Sequence, residues 1–197
     1  GIALVTKEGE PIVAAMGNPR LHPSPCVMVA VKGHGVRYWP AEGEGPVPFS
    51  LPAEEEAKLA WREREGKASR EGEEEQMPWL ASFPPWLVSR PMTTGSPMPF
   101  GPQSPPMEVC CGAMIKYWCV AQGTAAGFIQ FETPLKSWDH ACGVLCVTES
   151  GGTCSDASGK PVRFPDREFH VDKGIICAAS GTSDATRAAL LGSVAST

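Results

Sequence analysis

Lys136-Ser137-Trp138-Asp139-His140-Ala141-Cys142-Gly143-Val144-Leu145-Cys146-Val147-Thr148-Glu149-Ser150-Gly151-Gly152 reads as the end of a strand, a helix, and a helix stop. Ser137 is a residue type that caps helix N-termini, and Gly151-Gly152 supplies the flexible backbone with which helices close. The spacing predicts a helix from Trp138 to Glu149, with Asp139 in its first turn. There a carboxylate lies beside unpaired backbone N–H groups, in the positive field of the helix dipole. That field draws phosphate oxygens to the same spot. A hard cation such as Mg²⁺ takes oxygen ligands together with a bound phosphate. One carboxylate supplies one ligand and never a whole site. The plainer reading is a capping carboxylate, stabilising its helix by roughly 0.5–2 kcal/mol. Trp138 is expected to anchor the corner in the core, with Ala141 and Gly143 letting the helix lie close to a sheet. His140 reads as a surface or packing histidine, since no nucleophile is evident for it to serve.

Around this corner the last part of the chain alternates helices with short strands. Met114 to Gln122 has apolar residues at helical spacing and Gly123 as terminator. Phe128 to Phe131 reads as a strand. Thr153 to Asp156 and Pro161 to Phe164 flank a Ser158-Gly159 turn and suggest a hairpin. Gly174 to Ala179 is a buried type of strand, and Ser183 to Val194 a terminal helix. Such alternation points to an α/β body.

The start of the chain is different. Ile2 to Thr6 and Ile12 to Met16 are apolar runs joined by Lys7-Glu8-Gly9-Glu10, and Cys26 to Lys32 precedes Gly33-His34-Gly35. This is the chemistry of a strand meander, expected over residues 1–39. From 40 to 106 the composition changes. Ala53 to Gln76 is dense in Glu, Lys and Arg, and Pro78 to Pro106 is broken by proline. A largely disordered insertion followed by an extended linker is expected, with the fold resuming at Trp86-Leu87-Val88-Ser89. Trp79, Phe83 and Trp86 offer contacts to the body or to a partner. Residues 107–197 form the third zone.

The net charge of -5 gives no footprint for a nucleic-acid polymer, and no apolar run is long enough to span a bilayer. None of the eight cysteines forms a C-x-x-C pair, and no paired histidines stand at zinc spacing. Reduced core thiols in an intracellular protein are the expectation; a cysteine-ligated metal protein would instead carry zinc. Gly1 leads straight into Ile2-Ala3-Leu4-Val5, so we expect a portion of a longer protein.

Trp138-Asp139-His140-Ala141-Cys142-Gly143, followed by Glu149-Ser150-Gly151-Gly152, resembles the C-terminal signature of the inositol monophosphatase superfamily. Lys136 before it and His140-Ala141 within it look most like the 3′(2′),5′-bisphosphate nucleotidase branch. Lys116-Tyr117, Val120-Ala121, Gly123, Ala125-Ala126 and Phe128 resemble that branch's preceding segment. Asp156, Gly159-Lys160-Pro161-Val162, Phe164, Gly174-Ile175-Ile176 and Ala178-Ala179-Ser180 resemble its closing hairpin and strand, and Gly1 to Asn18 its early hairpin. The middle zone lies outside the resemblance.

The resemblance implies the C-terminal portion of a layered α/β/α/β/α sugar-phosphatase fold. It implies Mg²⁺-dependent hydrolysis of a phosphomonoester, either a bisphosphorylated nucleotide or an inositol phosphate. Asp139 matches the signature's metal-binding aspartate, and Lys116 a lysine that the nucleotidase branch uses near its substrate. The family's other metal ligands, a Glu-Glu pair and an Asp-Pro-Ile/Leu-Asp-Gly motif, belong upstream of Gly1. Ala113 stands in place of a substrate-contacting serine, Gln130 in place of a phosphate-holding arginine, and Cys142 in place of a smaller residue. Arg90 to Thr94 lies where a His-Ser-type motif is expected. The alternative is a non-catalytic, diverged or truncated homologue that acts through interactions.

Overall fold

In the computed structural model, residues 1–18, 26–40, 45, 47–48, 86–88, 107–109, 112–131, 135–165, 169–171 and 173–182 are described. The acidic stretch 53–76, Arg90 to Thr94 and the terminal helix expected at 183–194 lie outside them.

The opening apolar runs form an antiparallel meander. Its strands are β1 (Ile2–Val5), β2 (Pro11–Asn18), β3 (Cys26–Val31), β4 (Gly35–Pro40) and the short β5 (Val47–Pro48), paired in sequence order. The first turn works as its residues suggest. Gly9 has φ 83°, and its N–H bonds the Thr6 carbonyl at 3.0 Å. A Cβ at Gly9 would also come within 2.5 Å of Pro165 backbone, so glycine is required twice over. Strand alternation sends Ala14, Met16, Met28, Ala30, Val36 and Tyr38 inward, all buried. The other face is also apolar, with Leu4 opposite Val13 and Val27 opposite Trp39. These four side chains, with Ile2 and Val31, are exposed among the described residues.

The second sheet is mixed, in the order β10 (Thr153–Ser155), β12 (Ile175–Ala178), β8 (Gly127–Gln130), β6 (Trp86–Val88), β7 (Met107–Val109). The expected strand at Trp86 is its fourth member, parallel to β8 and β7 and buried along its whole length. Strands buried on both faces need continuous apolar sequence, as Ile175 to Ala178 shows.

Among the described residues two helices lie between the sheets: α1 (Ala113–Ala121) and α2 (Ser137–Glu149). α1 ends at Gln122, where Gly123 takes φ 71°. Its Trp118 ring meets Tyr38 of the meander edge-on at 5.8 Å, and its Tyr117 ring meets Phe128 of β8 at 5.0 Å. α2 is buried continuously from His140 to Val147, as a helix enclosed by layers must be. Cys142 Sγ donates to the Ala15 carbonyl of β2 at 3.3 Å on one side, and β10 lies on the other. Each large apolar side chain so enclosed contributes roughly 1.5–3 kcal/mol. The described residues thus supply the β/α/β centre of an α/β protein.

Two expectations are corrected here. Pro161 to Phe164 does not form a hairpin with Thr153 to Asp156; β10 pairs with β12 instead. Asp156 Oδ1 accepts hydrogen bonds from Ser158 N–H (2.8 Å), Ser158 Oγ (2.7 Å) and Lys160 N–H (2.8 Å), which winds the chain into a self-contained turn. Pro161 then has no N–H to give a ladder, and Phe164 N–H bonds the Gly9 carbonyl at 2.8 Å. The second correction concerns Gly143, which packs on helix α1 and not on a sheet. A Cβ there would lie 2.1 Å from Cγ of the Tyr117 ring.

Candidate functional site at the start of helix α2

Helix α2 starts where a two-stranded ribbon holds the chain in place. β9 (Leu135–Lys136) pairs antiparallel with β11 (His170–Val171). Ser137 N–H bonds the Phe169 carbonyl at 3.0 Å, and Lys136 Nζ meets His170 Nε2 at 2.6 Å. The cap position falls on Lys136, which makes no side-chain cap bond, so Ser137 is the first helical residue and not the cap. A lysine has only donors to offer, and donors cannot satisfy helix N–H groups.

Successive helical residues turn by about 100°, and this separates the residues of the signature. Asp139, the acidic residue of the first turn, is exposed. Trp138 is 63% exposed, which overturns the expectation of a core anchor. It lies against Phe169, itself exposed, with ring centres 6.2 Å apart. Lys136 Nζ stands 5.9 Å from the Trp138 ring centre, a cation–π distance. His140, two residues past Trp138, points the other way and is buried.

Beneath the surface lies a second tier. His140 Nδ1 and Tyr117 Oη are 2.9 Å apart, and the imidazole stacks on Phe128 at 6.4 Å with a 6° tilt. Burial, reinforced by the nearby positive Lys116, lowers the His140 pKa to about 4. The imidazole is therefore neutral at physiological pH, and its role is packing. Lys116 is only 2% exposed, so it is no ordinary surface lysine. Its Nζ stands 5.3 Å from the Phe128 ring centre, and desolvation lowers its pKa. Asp139 and Lys116 thus flank the same histidine, one by sequence on the surface side and one by charge from within.

At its other end α2 is held by its last residue, Glu149. The Glu149 carboxylate accepts from Gly33 N–H and Gly35 N–H, both at 2.9 Å. Both glycines have positive φ; Gly33 sits in the β3–β4 turn and Gly35 opens β4. This fork fixes the helix against the meander. Nothing near Glu149 in sequence signals it, because its partners lie more than a hundred residues away.

A match to the inositol monophosphatase family runs over residues 1–195. The chain belongs to that family. Its curated relatives include a 3′(2′),5′-bisphosphate nucleotidase of Schizosaccharomyces pombe, 26% identical over 91% of this chain and 50% of that protein. Another is the 3′,5′-bisphosphate nucleotidase AHL of Arabidopsis thaliana, 38% identical over 43% of this chain and 23% of that protein. The resemblance to the nucleotidase branch is thereby borne out. Among solved structures, an inositol monophosphatase from Zymomonas mobilis superposes with TM-score 0.59 at 17% identity, covering 98% of this chain and 60% of that one. CysQ from Bacteroides thetaiotaomicron does so with TM-score 0.54 at 19% identity, covering 89% and 60%. These likenesses bear out the α/β fold. The chain spans about half the length of the fission-yeast relative it matches most extensively here.

A metal implied by this family is tested by the donors present. The Asp139 carboxylate suits a hard cation as one ligand. Among the described residues no three His, Cys, Asp or Glu side chains converge on a common point. The described residues therefore fit one wall of such a centre and not a complete one. Nor is there a cysteine–histidine zinc cluster among them. No described helix is long and apolar enough to cross a membrane.

Proposed function

We propose that the protein is a Mg²⁺-dependent phosphomonoesterase releasing phosphate from a bisphosphorylated nucleotide such as 3′-phosphoadenosine 5′-phosphate, or from an inositol phosphate. The observation that carries this reading is Asp139, exposed in the first turn of a helix whose cap offers no acceptor, in a chain that matches the inositol monophosphatase family. The relatives named as bisphosphate nucleotidases favour the nucleotide. When bound, the ion would polarise a phosphoryl oxygen and activate water. Asp139 would hold it in part, and the first-turn N–H field of α2 would favour the phosphate oxygens. Lys116 would add a positive charge to substrate binding from the buried tier beneath the start of α2. The tryptophan face beside Asp139 suits a stacking group.

We take residues 1–39 and 107–197 as the body that carries the site, and 40–106 as an insertion that returns Val47–Pro48 and Trp86–Val88 to the two sheets. An intracellular location is supported by Cys26, Cys142, Cys146, Cys154 and Cys177, whose thiols are reduced. A non-catalytic homologue is the second reading, favoured by the incomplete set of acidic ligands among the described residues, together with Ala113 and Gln130. One assay separates the two. Phosphate release from 3′-phosphoadenosine 5′-phosphate and from inositol monophosphate is followed in the natural-length protein with and without Mg²⁺. Mg²⁺-dependent release from either supports the phosphatase, and no release from both leaves the non-catalytic reading.

A further inference from the structure

Cys154 and Cys177 come from strands that the fold places side by side. Cys154 lies on β10, the edge strand of the second sheet, and its direct antiparallel partner on β12 is Cys177. Their sulfur atoms are 2.7 Å apart, and both thiols are free. Directly opposed residues of an antiparallel pair have the Cα spacing that a disulfide spans. A disulfide needs sulfurs about 2.05 Å apart, so bond formation asks for well under 1 Å of movement. Cys177 is fully buried, whereas Cys154 is half-buried on the outer strand with its Sγ turned towards the Val144 carbonyl of α2 at 3.9 Å, so a small oxidant reaches it when that strand opens locally.

We propose that Cys154 and Cys177 form a reversible disulfide, a redox modification site whose oxidant is a low-molecular-weight disulfide such as oxidised glutathione. Cys154, as thiolate, attacks the small disulfide to give a mixed disulfide and release one small thiol. Cys177, as thiolate, then attacks the Cys154 sulfur, forming the protein disulfide and releasing the second small thiol. Two protein thiols are oxidised, one small disulfide is reduced, and the two protons end on the released thiols.

Placement gives the bond a consequence. The two cysteines are 23 residues apart, and the loop between them carries Phe169 and His170. Those residues hold the start of α2 through the Phe169 carbonyl to Ser137 N–H bond and the His170–Lys136 contact. Oxidation therefore closes the loop that carries this clamp. Burial raises the Cys154 thiol above its ordinary range, which makes exchange slow at neutral pH and faster as pH rises. A different thiol competes. Cys142 is lowered to about 7, chiefly by its bond with Cys146, and these two lie one helical turn apart.

The test equilibrates the full chain in glutathione buffers from reducing to oxidising, quenches with a maleimide, and maps peptides by mass spectrometry. The expected result is a loss of two hydrogens, two fewer titratable thiols and a Cys154–Cys177 linked peptide that dithiothreitol abolishes. The oxidised chain should melt at higher temperature, and the Ser137 amide should exchange more slowly. Cys154→Ser, with folding checked by circular dichroism, should remove the two-hydrogen loss. The wild-type peptide map stands whether or not that variant folds. A Cys142–Cys146 link in place of the cross-strand one, glutathione adducts without the linked peptide, or full maleimide labelling in the most oxidising buffer would each overturn the proposal.

Discussion

Replacing Gly143 by alanine tests how the two helices set the candidate site. In a free helix this change is favourable by about 1 kcal/mol, because glycine forfeits backbone entropy that alanine does not. Here the new methyl would sit 2.1 Å from Tyr117 Cγ and 2.2 Å from Cδ2. That ring cannot swing away, since it is fully buried, edge-on to Phe128 and within hydrogen-bonding distance of His140. Relief requires the helices to separate, an overpacking cost of about 1–3 kcal/mol and at times more. With the obstacle a buried ring and not a flexible chain end, the upper part of that range applies. The net destabilisation is then about 2 kcal/mol, a fall in Tm of about 4–8 °C for a chain of this size. Urea unfolding, with the slope compared between the two proteins, measures it directly. An unchanged or raised midpoint would refute the reasoning, because it would mean that alanine's helix propensity prevails over the contact.

Three other expectations follow from particular contacts. Glu149→Ala removes both acceptors for Gly33 and Gly35 N–H. A loss of about 2–3 kcal/mol in denaturant unfolding is expected, small because the Gly33 side is exposed and water replaces part of the bonding. Tyr117→Phe leaves buried His140 Nδ1 without its partner and should cost about 1–3 kcal/mol, with faster exchange of the first-turn amides of α2. The Glu10 carboxyl is held below its ordinary pKa by Lys32 and Arg163. Its contribution is therefore present above the unfolded-state carboxyl pKa and lost as pH falls through the folded one. The acid limb of the stability–pH curve should flatten in Glu10→Gln and weaken in high salt, and an identical limb in that variant would remove the claim.

Local patterning carried much of the fold. The meander was legible because Lys7 to Glu10 holds turn residues at turn spacing and the flanking runs have strand character. Helix α2 was legible from its first-turn aspartate and its Gly151-Gly152 stop. The misses share one cause, namely partners distant in sequence. Trp138 faces outward because the ribbon of β9 and β11 and the buried pairing of His140 fix the rotation of α2, and neither can be read from residues 136–152. The Pro161 to Phe164 segment looked like a hairpin arm until Gly9 claimed Phe164. The burial of Lys116 had no local signal, because it depends on a sheet packed against the helix from elsewhere. The register that opposes Cys154 to Cys177 follows from strand pairing alone. Asp139 was legible as a candidate because its chemistry is local, being a carboxylate at a helix start.

The central claim is that Asp139 is a working ligand of a phosphatase centre, and Asp139→Asn in the natural-length protein addresses it most directly. The measurement is initial-rate phosphate release from 3′-phosphoadenosine 5′-phosphate across a Mg²⁺ titration, with circular dichroism confirming that both proteins fold. The wild type should be active only with Mg²⁺. The variant should lose about 100-fold or more in kcat/KM, about 2.7 kcal/mol of transition-state stabilisation, and require higher Mg²⁺ for what remains. A variant with wild-type rates and an unchanged Mg²⁺ requirement would contradict it.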